Sequence, residues 1–198
     1  MPRRKVVSVA LVAAILSAVW VSPALPGQQS ERYQQLATEI LREMVEVPSV
    51  STSTDETAAL LETVVRRLAA AGFEAADMTL VHSPGDIPNL VVRYVGTGAR
   101  RPVMLMAHVD VVDAEPDAWQ VHPFAFVEND GYYYGRGTSD NKAGATTLVT
   151  NFIRLRTEGY RPDRDLIMVL TGDEETTGNG ISHLVNERRD LVDAELAL

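Results

Sequence analysis

The sequence predicts an α/β domain whose polar groups gather at the carboxyl ends of buried strands, and three stretches predict it. Residues 103–107 are five consecutive apolar residues that stop at His108-Val-Asp110. Residues 166–170 form a second unbroken apolar run, ending in Thr171-Gly-Asp-Glu-Glu175. Between them, Gly135-Arg-Gly-Thr-Ser-Asp-Asn-Lys142 leads into a helical pattern. Apolar runs without a polar face suit strands covered on both sides of a parallel or mixed sheet. Open α/β sheets place their ligands just beyond the carboxyl ends of such strands.

The elements follow in order. Leu36, Ile40 and Met44 at four-residue spacing, with Leu41 and Val45 beside them, predict a helix over residues 31–47 that Pro48 ends. Ser53 and Glu56 have the spacing of a capping box, and Leu61, Val64, Val65 and Leu68 continue as a second helix to Gly72. Residues 78–81 and 90–95 read as strands joined through Ser83-Pro-Gly-Asp86. Residues 114–134 are irregular, and Asn129-Asp-Gly131 predicts a hairpin turn that packs aromatic residues beside the site. Residues 141–155 have helical spacing with Asp140 at the N-cap, residues 181–191 read as a helix, and residues 195–198 begin a strand.

Composition narrows the function. The chain has 198 residues, 45% of them hydrophobic, enough for one domain with a sizeable core. With 27 acidic and 18 basic residues, it lacks the positive surface that nucleic acid requires. There is no cysteine, which excludes disulfides and thiolate chemistry, so any metal is held by His, Asp and Glu.

Residues 1–24 read as a secretory signal peptide, followed by a mature domain over 25–198. Arg3-Arg-Lys5 is the positive region, 6–21 the apolar region, and Ser22-Pro-Ala24 the cleavage site. The apolar stretch is shorter than the roughly 20 residues a membrane span needs, so no stable anchor is expected. Its removal takes away three basic residues and brings the net charge from −9 to −12. The expected location is secreted or periplasmic.

His108, Asp110, Asp140, Glu174 and Glu175 are the candidate site. Carboxylates and an imidazole brought together at strand ends are costly unless a cation or proton neutralises them, and a divalent metal does so. Nitrogen and oxygen donors suit zinc, with cobalt or manganese as alternatives. Each residue also has an ordinary structural use: Asp140 as a helix cap, Asp110 in a turn, the Glu pair in a solvated loop. Asp173 is expected to shape its loop, and Arg136 and Lys142 to balance the negative charge. His82, His122 and His183 are read as surface or packing residues.

These motifs, together with the segment Trp119 to Phe124, resemble the successive signatures of the M20 metallopeptidases, a family of carboxypeptidases, dipeptidases, aminoacylases and related amide hydrolases. The resemblance implies a three-layer α/β/α, zinc-exopeptidase-like domain with a mixed, largely parallel sheet. It implies two zinc ions, with His108 on one, Glu175 on the other and Asp140 bridging. It further implies Glu174 as general base and Asp110 as the carboxylate that orients His108. The implied substrate is a small peptide or an N-acyl amino acid. The alternative is a non-catalytic peptide- or metal-binding relative, against which the intact Glu174-Glu175 pair speaks.

Family members continue with a further carboxylate, an inserted lid domain and a His near the C-terminus. This sequence ends at Ala194-Glu-Leu-Ala-Leu198. The expectation is the N-terminal portion of a catalytic domain, incomplete in its sheet, poor in metal binding and inactive alone, with any homodimer formed through the absent lid.

Overall fold

The computed structural model describes residues 26–198, and the leader expected over residues 1–24 lies outside the described residues. Two helices come first, α1 (Pro26–Glu46) and α2 (Thr54–Ala70), followed by strands β1 (Met78–Ser83), β2 (Ile87–Tyr94) and β3 (Val103–His108). A short hairpin of β4 (Val127–Asn129) and β5 (Tyr132–Tyr134) precedes α3 (Lys142–Thr157) and β6 (Leu166–Thr171). The chain closes with α4 (Asn179–Glu187), α5 (Arg189–Val192) and β7 (Leu196–Ala197).

Five strands form one sheet in the order β1-β2-β6-β3-β7. The two unbroken apolar runs, β3 and β6, lie side by side and parallel, with His108 opposite Thr171. Both are covered on both faces, which is why neither needed a polar face in the sequence. On one face Ala107, Met168 and Leu170 pack with Ile40, Leu61, Leu68, Val149 and Phe152 of α1, α2 and α3. On the other, Met104, Ile167 and Val169 pack with Leu184 of α4 and Val192 of α5. The result is the expected three-layer α/β/α arrangement with a mixed sheet. Its parallel part is β6, β3 and β7, whereas β1-β2 and β2-β6 are antiparallel, so the sheet is mixed but not largely parallel; the tight hairpin at Ser83-Pro-Gly-Asp86 turns β1 straight back into β2.

Local expectations hold with three adjustments. Ser53 is the N-cap of α2, but its hydroxyl makes no cap bond; its carbonyl instead accepts the Thr57 amide and hydroxyl, both at 3.1 Å. The helix expected over residues 181–191 breaks at Arg188 into α4 and α5. The β4-β5 hairpin packs on α1 rather than beside the site: Phe126 is buried with Leu41 and Val45, and the Tyr133 ring lies tilted against it with ring centres 4.9 Å apart. Among the described residues no helix is long and apolar enough to cross a membrane.

Candidate metal centre

Strand register builds the site. Because β3 and β6 run parallel and in step, His108 and Thr171 end at one level, and the Val109 amide still donates to the Thr171 carbonyl at 2.9 Å. Asp110 lies two residues past one strand, and Glu174 and Glu175 three and four past the other. The third contributor, Asp140, comes from the loop before α3.

Asp140 is not the cap of that helix. Asn141 occupies the N-cap and α3 begins at Lys142, which leaves the Asp140 carboxylate outside the helix and 77% exposed. The Asp140–Asn141 peptide bond is cis. The glycines around the turn allow close approach: Gly137 has φ +87°, and a Cβ there would come within 2.9 Å of Lys142 and Val111 side chains.

His108, Asp140 and Glu175 each offer a ligand atom, and these atoms all lie within 4.8 Å of one another. The His108 Nε2 is 3.1 Å from Asp140 Oδ1 and 3.6 Å from Glu174 Oε2. The other ring nitrogen, Nδ1, lies 3.0 Å from the Asp110 carbonyl and 3.4 Å from its carboxylate. Both of these partners only accept, so Nδ1 carries a proton and Nε2 is the nitrogen turned to the cluster.

Asp110 is fully buried and nevertheless charged. Burial would raise its pKa, but His108, the Ser51 hydroxyl and the amides of Glu175 and Glu174 outweigh it and hold it below the usual carboxylate value. For His108, burial pulls downward, while hydrogen bonds and charge from Asp110, with Asp140, lift the imidazole to about 9. Burial and the neighbouring Asp140, Asp110 and Glu174 raise Glu175 against the pull of His108. The cluster thus takes up a proton that a cation can replace.

Several polar residues stand where the sequence did not place them. Lys142 does not face the carboxylates: its side chain is completely buried, and Nζ donates to the carbonyls of Met44 and Val47 at 2.7 and 2.8 Å. Burial lowers its pKa to about 7, with the Asp110 charge pushing back. Arg136 lies over the Trp119 ring, 5.1 Å from its centre, and Nη2 donates to the Asp113 carbonyl. Asp173 is structural as expected, its carboxylate accepting the Asn179 and Gly180 amides and the Thr177 hydroxyl. His82 pairs with exposed Asp86, the ring of His122 accepts the Phe124 amide, and neither they nor His183 join the cluster. Ser51 was missed: its hydroxyl donates to Asp110 Oδ2 at 2.7 Å from 59 residues away, a contact without a local signal.

Comparison with known proteins bears on this arrangement. Residues 104–198 match peptidase family M20/M25/M40, a span that includes His108, Asp110, Asp140, Glu174 and Glu175. The chain belongs to peptidase family M20/M25/M40 through these residues. It is 33% identical over 165 residues to N-fatty-acyl-amino acid synthase/hydrolase PM20D1 of Mus musculus, covering 78% of this chain and 31% of that one. It is 34% identical over 139 residues to the succinyl-diaminopimelate desuccinylase of Delftia acidovorans, covering 69% of this chain and 35% of the relative. The M20 family metallo-carboxypeptidase Sso-CP2 of Sulfolobus solfataricus shares the fold, with a TM-score of 0.70 at 23% identity over 82% of this chain and 36% of that one. This M20 chain therefore spans about a third of the length of the curated relatives it matches.

M20 membership implies a divalent metal, and His108, Asp140 and Glu175 are the residues that could hold it. The donor set fits. It combines one imidazole nitrogen with carboxylate oxygens, the imidazole is oriented through its other nitrogen, and the excess negative charge calls for a cation.

Proposed function

We propose that this protein is a secreted, zinc-dependent hydrolase that cleaves an amide bond in a small peptide or an N-acyl amino acid. The observation that carries the reading is the convergence of His108, Asp140 and Glu175 within 4.8 Å, with the Glu174 carboxylate 3.6 Å from the same imidazole. The relatives' names support the substrate class, since they describe an N-fatty-acyl-amino acid synthase/hydrolase and a desuccinylase.

Zinc suits this mixture of nitrogen and oxygen donors without sulfur, with cobalt or manganese as substitutes. His108, Asp140 and Glu175 are the residues that would hold the metal. When bound, the metal supplies a Lewis acid that polarises a carbonyl and acidifies water near neutral pH. Asp110 holds the His108 ring so that Nε2 faces the cluster. Glu174, 60% exposed and turned to the same space, takes a proton from water as its oxygen bonds to the amide carbon. The same carboxyl group then gives that proton to the departing amine as the carbon–nitrogen bond breaks.

The test separates the two glutamates. Glu175→Ala loses metal, measured by elemental analysis, whereas Glu174→Ala keeps the metal content of the parent and lowers hydrolysis of dipeptides and N-acyl amino acids by two to four orders of magnitude, about what a positioned acid–base group contributes. Equal metal loss in both variants removes the division of roles, and absence of divalent metal from a chain that also carries the family's further carboxylate and C-terminal His removes the hydrolase reading.

A further inference from the structure

The segment between α1 and α2 is tied into the site by contacts that none of the proposed ligands makes. Its first end is held by Lys142. The carbonyls of Met44 and Val47 belong to the last turn and exit of α1, where helical hydrogen bonding has ended and backbone oxygens need outside donors. Lys142 supplies both bonds from the first turn of α3, two residues after Asp140. An amine keeps at least two hydrogens in either protonation state, so both bonds survive whether or not it is charged.

From there the segment runs beside the residues that follow β3. The Val111 amide donates to the Ser49 carbonyl at 3.0 Å, the Ser51 amide to the Val111 carbonyl at 3.1 Å, and the Ser49 hydroxyl to the Val109 carbonyl at 2.7 Å. Val50 and Val111 form an isolated parallel bridge, which extends strand pairing past His108. The ladder delivers the Ser51 hydroxyl to Asp110 Oδ2 at 2.7 Å, the oxygen that also accepts the Glu175 amide. Asp110 has the carboxylate geometry to bind His108, Glu174 and Glu175 together only while its two oxygens are kept in this orientation.

We propose that residues 47–51 are a brace for the metal centre: Lys142 anchors one end to the start of α3, just after the Asp140 loop, and Ser51, as a positioning residue, locks the Asp110 carboxylate at the other. This rests on the reading of His108, Asp140 and Glu175 as metal ligands. The brace makes the spacing between the Asp140 loop and the two strand ends independent of loop motion. A lysine is required because an apolar residue of the same size would leave two buried carbonyls without donors.

The experiment compares Ser51→Ala, Ser51→Thr, Lys142→Met and the Ser51→Ala/Lys142→Met pair, reading zinc affinity by chelator competition and amide hydrogen exchange in the metal-free protein. Ser51→Ala is expected to weaken zinc binding roughly 10–100-fold, the usual effect of losing a partner that orients a metal site. It is also expected to speed exchange at Glu174 and Glu175 while β6 amides keep their protection, and Ser51→Thr restores both. If Lys142 acts through Ser51, the double variant binds zinc no more weakly than Lys142→Met alone. Parental exchange at Glu174 and Glu175 in Ser51→Ala overturns the brace, as does full additivity in the pair. Should zinc binding be too weak to measure in this chain, the exchange measurements in the metal-free protein decide the brace separately from the functional reading.

Discussion

Asp110 and Glu175 meet through the backbone: Oδ2 of the buried carboxylate accepts the Glu175 amide at 3.1 Å, while Oδ1 accepts the amide of Glu174 at the same distance. One side chain thereby aligns both glutamates and, through Nδ1, the imidazole. Asp110→Asn replaces one acceptor by an NH₂ group that faces other donors. The expected result is a stability loss of about 2–3 kcal/mol in urea denaturation with chelator present. Zinc binding by competition titration weakens roughly 10–100-fold. Unchanged values in both measurements would separate Asp110 from the site.

The pH dependence of the metal-free protein follows from His108. Its pKa rises from 6.5 to about 9 on folding, so the folded state binds the proton more tightly. The stabilisation is fully present below pH 6.5 and disappears as pH rises through about 9. With His108 as a proposed metal ligand, binding needs Nε2 without its proton, so metal affinity is expected to move the opposite way and increase over the same interval. Denaturation midpoints at pH 6 and pH 10, parent against His108→Gln, check the first statement. An identical pH slope in the two proteins would contradict it.

Asp173→Ala removes the acceptor that gathers the start of α4. The carboxylate is buried and takes the Asn179 amide at 2.7 Å, the Gly180 amide at 3.0 Å and the Thr177 hydroxyl. Losing a cap and leaving buried donors unpaired costs about 2–3 kcal/mol. Thermal unfolding of the metal-free chain measures it, and a shift no larger than that of an exposed Asp190→Ala control would refute it.

Gly137→Ala tests the tight passage before Asp140. At φ +87° a side chain is strained, and the new Cβ would lie 2.9 Å from both Lys142 Cδ and Val111 Cγ1. About 1–3 kcal/mol of stability is expected to be lost. A variant as stable as the parent would show that the turn has room to relax.

Much of this architecture was legible because its signals are local. Five apolar residues before His108 announce a strand covered on both faces, and that strand has one helical layer on each side. The helical spacing of Leu36, Ile40 and Met44 likewise matches the buried face of α1. The hairpin aromatics were harder, since composition cannot tell a ring beside a site from one packed over a helix. Phe126 found Leu41 and Val45 instead. Lys142 was misread for a related reason: proximity to Asp140 along the chain suggested charge balance, but the helix turns its side chain toward α1.

By itself the sequence determined which side chains stand at the ends of buried strands and where the first two helices stop, because apolar periodicity and turn chemistry operate over a few neighbouring residues. Only the tertiary structure decided that β3 and β6 pair in step, that Asp140 leaves its helix, and that Ser51 and Lys142 reach partners 59 and more than 90 residues away. Such contacts arise from how layers pack, and a buried hydroxyl or amine takes whichever acceptor that packing brings within reach.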